Sequence, residues 1–89
     1  MKYEYMSIVE MNGTKYNAIF LSGLYGNTRT VDTLEKAKKC LQSYVDYLTN
    51  GKAKVDYSLG IGVKIEGSSQ KIDKTYIKKR QVTDWEIME

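Results

Sequence analysis

Between Lys54 and Glu66 the chain alternates without a break. Val55, Tyr57, Leu59, Ile61, Val63 and Ile65 are apolar, and Lys54, Asp56, Ser58, Gly60, Gly62, Lys64 and Glu66 stand between them. A strand sends successive side chains to opposite faces, so this period of two gathers the bulky groups on one face. It predicts one long antiparallel strand with one face buried. Gly60 and Gly62 fall on the polar face. A glycine within a strand marks a bend or a close approach, and here it predicts a bend that lets the sheet coil around a helix.

The same reading along the N-terminal region predicts a hairpin. Lys2 to Met11 forms one strand, Asn12-Gly13 a type I′ turn, and Thr14 to Ser22 the returning strand. Both central positions of that turn need positive φ, which asparagine and glycine tolerate best. The turn fixes a register in which Met11 faces Thr14, Val9 faces Tyr16, Ser7 faces Ala18 and Tyr5 faces Phe20. One face then collects Tyr5, Val9, Met11, Tyr16, Ala18 and Phe20. The other collects Met6, Ile8, Ile19 and Leu21 among Glu4, Glu10, Lys15 and Asn17. One helix covers only one of these faces, which leaves apolar area for a partner or a second copy of the chain. Gly23 to Thr30 reads as a loop pinned down by one or two apolar side chains or, alternatively, as a binding loop that presents Tyr25 and Arg29; Thr28 to Val31 adds a short strand.

The pattern then changes period. Leu34, Ala37, Leu41, Tyr44, Val45 and Leu48 recur at helical spacing and predict a helix over Asp32 to Leu48. Asp32 stands as its N-cap, with Glu35 three residues on, and Asn50-Gly51 as its stop. Cys40 lies beside the stripe as a half-buried, inert thiol. Helix and long strand are the two cleanest apolar surfaces, so Leu34, Leu41 and Tyr44 or Val45 are expected against Leu59, Ile61 and Val63. Beyond the long strand, Gly67-Ser68-Ser69 predicts a turn, Gln70 to Thr75 a loop or irregular edge, and Tyr76 to Met88 a last strand. A bulge near Thr83-Asp84 brings Val82, Trp85 and Ile87 to one face. The expected fold is α+β: a single domain over residues 1–89, with elements in the order ββαββ and one helix across one face of a small antiparallel sheet.

Composition narrows the chemistry. The chain of 89 residues has no histidine, no proline and one cysteine, Cys40. Lack of histidine removes the commonest general base near neutral pH and the commonest zinc ligand. A single cysteine forms no internal disulfide, and no apolar signal segment or membrane span is seen, so a cytoplasmic setting is expected. No phosphate-binding loop, dinucleotide fingerprint or calcium loop is present. Asp56 and Glu66 lie roughly 33 Å apart if the strand runs straight, too far for a carboxylate pair. We therefore expect no enzyme activity and no cofactor.

Charge is the remaining signal. The net charge of +3 is mild. Lys71, Lys74, Lys78, Lys79 and Arg80 cluster around Tyr76, opposed locally by Asp73 and followed by the acidic Asp84, Glu86 and Glu89. Charges on an edge strand discourage aggregation. Beyond that, Tyr76, Lys78, Lys79 and Arg80, with Tyr25 and Arg29 on the loop, form a candidate interaction surface. Its expected partner is a protein bearing an acidic patch; a homodimer is expected separately, through a sheet edge or the uncovered face of the first hairpin. Nucleic acid is the alternative, through basic contacts to phosphates and stacking on Tyr76. Strand alternation puts Lys78 and Arg80 on one face and Lys79 on the other.

Residues 30 to 37, Thr-Val-Asp-Thr-Leu-Glu-Lys-Ala, follow a strand pair and open a helix. In this the first half of the chain resembles the small antitoxins of the HicB type, which have paired strands leading into a helix with a comparable Thr-Leu-Glu-Glu-Ala start. The residues from Ala53 onward do not follow that pattern. The small size and lack of catalytic groups are also similar in kind to accessory proteins of phages and mobile elements, many of which bind a host protein. The resemblance implies an antitoxin-like or accessory role and assigns no residue a function.

Overall fold

A computed structural model describes residues 2–57, 62–66 and 72–82, the segment 62–66 by its backbone. The elements are β1 (Lys2–Met11), β2 (Thr14–Asn17), α1 (Ala18–Ser22), α2 (Leu34–Thr49), β3 (Lys54–Asp56), β4 (Gly62–Glu66) and β5 (Ile72–Val82). The strands form one sheet in the order β2-β1-β5-β4-β3, and each neighbouring pair is antiparallel. The α+β class and the antiparallel sheet with a helix packed on it are as expected. The element order differs, for reasons that lie in single residues.

The first hairpin turns at Asn12 and Gly13, with φ of 52° and 79°, and pairs Met11 with Thr14 and Val9 with Tyr16. The returning strand is shorter than expected. It ends at Asn17, whose side chain accepts hydrogen bonds from the N–H groups of Ile19 (2.9 Å) and Phe20 (3.2 Å) and so caps α1. Capping satisfies amides that a helix start otherwise leaves open. It lets Ala18 and Ile19 turn inward, where both are fully buried. Tyr5 and Ser7 therefore lose the partners expected for them. Tyr5 instead exchanges two backbone hydrogen bonds with Val31, at 2.8 and 3.0 Å, so the strand expected over Thr28 to Val31 is reduced to one bridge.

The long helix begins one residue later than expected. Thr33 is its N-cap, accepting from Lys36 N–H at 3.2 Å, while the Asp32 carboxylate binds Lys36 Nζ at 2.9 Å. At the other end Asn50 (φ 54°) and Gly51 (φ 74°) both adopt the left-handed conformation that closes the helix. Ala37, Cys40, Leu41, Tyr44 and Val45 are buried, whereas Leu34 remains exposed. Cys40 is fully buried rather than half-buried. The core joins this stripe to Val9 of β1, Ile77 of β5, Ala18 and Ile19 of α1, and Val31, Ala53 and Val55. Ser7 sits in it as well, donating from Oγ to the Ala37 carbonyl at 2.7 Å. Of the partners expected for the helix, Leu59 and Ile61 and the Val63 side chain lie outside the described residues.

The thirteen-residue strand is two strands. β3 and β4 run antiparallel, pairing Lys54 with Glu66, Val55 with Ile65 and Asp56 with Lys64. This register joins odd positions to odd, so the period of two survives a chain reversal and conceals it. The reversal also removes the straight-strand separation of Asp56 and Glu66, which now stand two pairs apart on one ladder. α2 holds β3 in place with side chains: Gln42 donates to the Ala53 carbonyl (3.3 Å) and accepts from Val55 N–H (3.0 Å), and the Tyr57 hydroxyl donates to the Lys38 carbonyl (3.0 Å).

β5 starts at Ile72, inside the stretch expected to be a loop or irregular edge, and it is the central strand between β1 and β4, not the edge strand expected for the basic segment. It pairs along all of β1, with a register shift: Glu10 faces Lys74 but Met11 faces Ile72, leaving Asp73 as the extra residue of a bulge. The bulge returns Ile72 to the core side with Ile77. The turn expected at Gly67-Ser68-Ser69 and the bulge expected at Thr83-Asp84, with Trp85 and Ile87, lie outside the described residues.

Candidate interaction surface

Pairing fixes which side of the sheet each strand residue occupies. Ser7, Val9, Thr75 and Ile77 face α2 and are buried. Glu4, Met6, Ile8 and Glu10 of β1, opposite Arg80, Lys78, Tyr76 and Lys74 of β5, share the other face. Ile8 is only 6% exposed on that face. The apolar surplus expected there is therefore small, and Ile19 and Leu21 have left it through α1.

Carboxylates are interleaved with the basic residues of this open face. Glu4 binds Arg80 through the guanidinium and accepts from the Thr30 hydroxyl at 3.0 Å. The hydrogen bond from Arg80, followed by that from Thr30, holds the Glu4 carboxyl below its ordinary pKa. Glu10 meets Lys74 at 3.5 Å and lies near the Tyr76 phenol. Burial and then Glu10 push that phenol upward. The ammonium groups of Lys74 and Lys78 lie 5.5 and 5.9 Å from the centre of the Tyr76 ring. The ring expected to stack on a base is already flanked by the chain's own cations. Lys79 stands on the opposite side, 4.6 Å from the Tyr3 ring, as strand alternation requires.

Tyr25 and Arg29 belong to a different surface. Phe20 and Leu21 on α1, Leu24 and Tyr25 in the turn after it, and Leu34 at the start of α2 are exposed by 37–46%. The Arg29 guanidinium lies 4.8 Å from the centre of the Phe20 ring, and Lys36 Nζ 5.6 Å from that of Tyr25. Cations so placed are attracted by the ring faces and held in position. The connection itself is tied down: Asn17 Nδ2 donates to the Arg29 carbonyl at 3.0 Å, Thr28 Oγ to the Thr30 carbonyl at 2.8 Å, and Val31 pairs with Tyr5. The structure thus divides the six sequence candidates among three places: Tyr76, Lys78 and Arg80 on the open sheet face, Lys79 behind it, and Tyr25 and Arg29 on the α1–α2 connection. Sequence reasoning missed Phe20, Leu21, Leu24 and Leu34 as surface residues. Asn17, a strong capping residue in the middle of an apparent strand, is the signal that could have found Phe20 and Leu21.

A cleft of about 540 Å³ lies between the start of β1 and Thr30–Asp32, with Val82 on its rim. Its acidic groups are Glu4 and Asp32. Lys36 holds the Asp32 carboxyl low, first by hydrogen bonding and then by its charge. Both groups are therefore ionised at neutral pH and cannot donate a proton there as general acids. Among the described residues, no set of three acidic or cysteine side chains is grouped to hold a metal ion, and no helix is long and apolar enough to cross a membrane. No family model, curated protein or solved structure matches the chain.

Proposed function

We propose that this chain is a non-enzymatic interaction module that binds another protein. The observation that carries this reading is the α1–α2 connection, where five large apolar side chains remain exposed beside two cations. Interfaces have this anatomy, with an apolar, aromatic centre and a polar rim enriched in arginine. An accessory role in a phage or mobile element, including an antitoxin-like one, fits such a module. A second copy is a less favourable occupant, because a two-fold contact sets one patch rimmed by Arg29 and Lys36 against another of the same sign.

Nucleic acid is the second reading, supported by Tyr76, Lys74, Lys78 and Arg80 on one open face. Glu4 and Glu10 on the same face weigh against it. Affinity capture with the tagged full chain from its native cells, with and without nuclease, separates the two. The expected result is a protein that survives nuclease and co-elutes with the chain as a complex of defined mass. Recovery of nucleic acid alone, of the chain alone, or loss of every partner on nuclease treatment would overturn the proposal.

A further inference from the structure

The exposed connection also points to the kind of segment it receives. Its backbone is engaged with the rest of the chain: Val31 pairs with Tyr5, the Arg29 carbonyl accepts from Asn17, and the Thr30 carbonyl accepts from Thr28. No continuous strand edge is offered there, so recognition proceeds through side chains, as when an amphipathic helix lies in a groove. The side chains offered are Phe20, Leu21, Leu24, Tyr25 and Leu34. The cations placed against them are Arg29, over the Phe20 ring, and Lys36, over the Tyr25 ring, whereas Lys38 is turned to the Tyr57 ring. Asp32 and Lys36 are paired with each other, and the Arg29 guanidinium meets only the Phe20 ring among the contacts described.

We infer that the occupant is a short amphipathic helix of another protein, apolar on one side and acidic along its flanks. This rests on the protein-binding reading and adds the chemistry of the partner. Apolar side chains spaced three and four residues apart fill the patch. Flanking carboxylates meet Arg29 and Lys36. The rings of Phe20 and Tyr25 supply large contact area at low conformational cost, and Arg29 adds a directional donor at the rim. A strongly basic segment is rejected by the same cations.

The test selects binders from a random displayed peptide library against the full chain, then titrates the enriched peptides as synthetic probes. The expected peptides carry a net negative charge and repeat apolar residues at helical spacing. Their affinity should fall about tenfold or more for Leu21→Asp and for Leu24→Asp, and a few-fold for Arg29→Ala. It should be unchanged for Lys78→Ala, and circular dichroism should show each variant folded. Both leucines are surface residues, so these substitutions leave the core intact. No enrichment, enrichment of basic peptides, or affinities insensitive to Leu21 and Leu24 would overturn the inference. A captured protein that still binds the Leu21→Asp and Leu24→Asp variants would sink this inference while leaving the protein-binding reading in place. Recovery of nucleic acid alone would sink both.

Discussion

Three side chains show how differently burial acts within one small core. Leu41 has no solvent exposure and lies in the middle of the α2 stripe. Its truncation to alanine removes transfer free energy and leaves a cavity, so Leu41→Ala should cost about 2–5 kcal/mol in a denaturant titration. Ser7 is equally inaccessible but contributes through one hydrogen bond to the Ala37 carbonyl. Ser7→Ala should cost only about 1 kcal/mol, because the lost bond is modest and no buried donor is stranded. Tyr57 is the third case. Desolvation, with a smaller contribution from the Glu35 charge, pushes its phenol up to about 12. The unfolded chain releases this proton near pH 10 and the folded chain keeps it, so the unfolded state binds fewer protons in between. The associated stability is complete below about pH 10 and is lost as pH rises through the folded value near 12. An ultraviolet absorbance titration should show a late phenol ionisation that is absent in Tyr57→Phe. If the two profiles coincide, the assignment is wrong.

Among the elements, the ends were harder to read than the interiors. Periodicity located the α2 stripe and strand β1 because both obey one period over many residues. The N-cap was misplaced by one position, since Asp32 and Thr33 are both good capping residues and sequence alone does not say which hydroxyl or carboxylate reaches the free amide. The structure assigns it to Thr33 through the bond from Lys36 N–H. Thr33→Ala should therefore lower the melting temperature, at a cost of about 1 kcal/mol, and Asp32→Ala should lower it less. Equal effects would show that the two residues share the cap. Two other boundaries were hidden for geometric reasons. The hairpin of β3 and β4 keeps odd positions facing odd positions across its turn, so alternation reads straight through it. Asp73 does the reverse: one unpaired residue shifts the phase of β5, and a true strand looks irregular before Tyr76.

At the scale of the whole molecule, class and layering were legible, because one helical stripe and several half-buried strands have few ways to cover each other. The candidate surface was legible only in part. Strand parity separated Lys79 from Lys78 and Arg80, yet no local pattern shows that Glu4 lies across from Arg80 or Glu10 from Lys74; those pairings need β1 beside β5. The long-range carboxylates reduce the basic character that residues 71–80 suggest in isolation. Binding of the wild-type chain to single- or double-stranded oligonucleotides should accordingly be weak at physiological salt. A Lys78/Lys79/Arg80 triple-alanine variant should differ little from it. Tight wild-type binding with a steep salt dependence, lost in that variant, would restore the nucleic-acid reading.

The paired bonds between Tyr5 and Val31 have a kinetic consequence. They fasten the far end of the α1–α2 connection to the edge of β1, so the connection cannot detach there without breaking both bonds and lifting the buried Val31 side chain out of the core. The lifetime of the exposed apolar surface is then tied to the packing of Val31 in the core. Amide hydrogen exchange at Tyr5 and Val31 should be as slow as in the centre of β1, not as fast as in a free loop. A partner meeting such a surface finds it already assembled. Association should follow a single concentration-dependent phase, without the rate ceiling that a loop ordering step imposes. Apolar burial should register as a negative heat-capacity change, without the much larger signature of coupled folding.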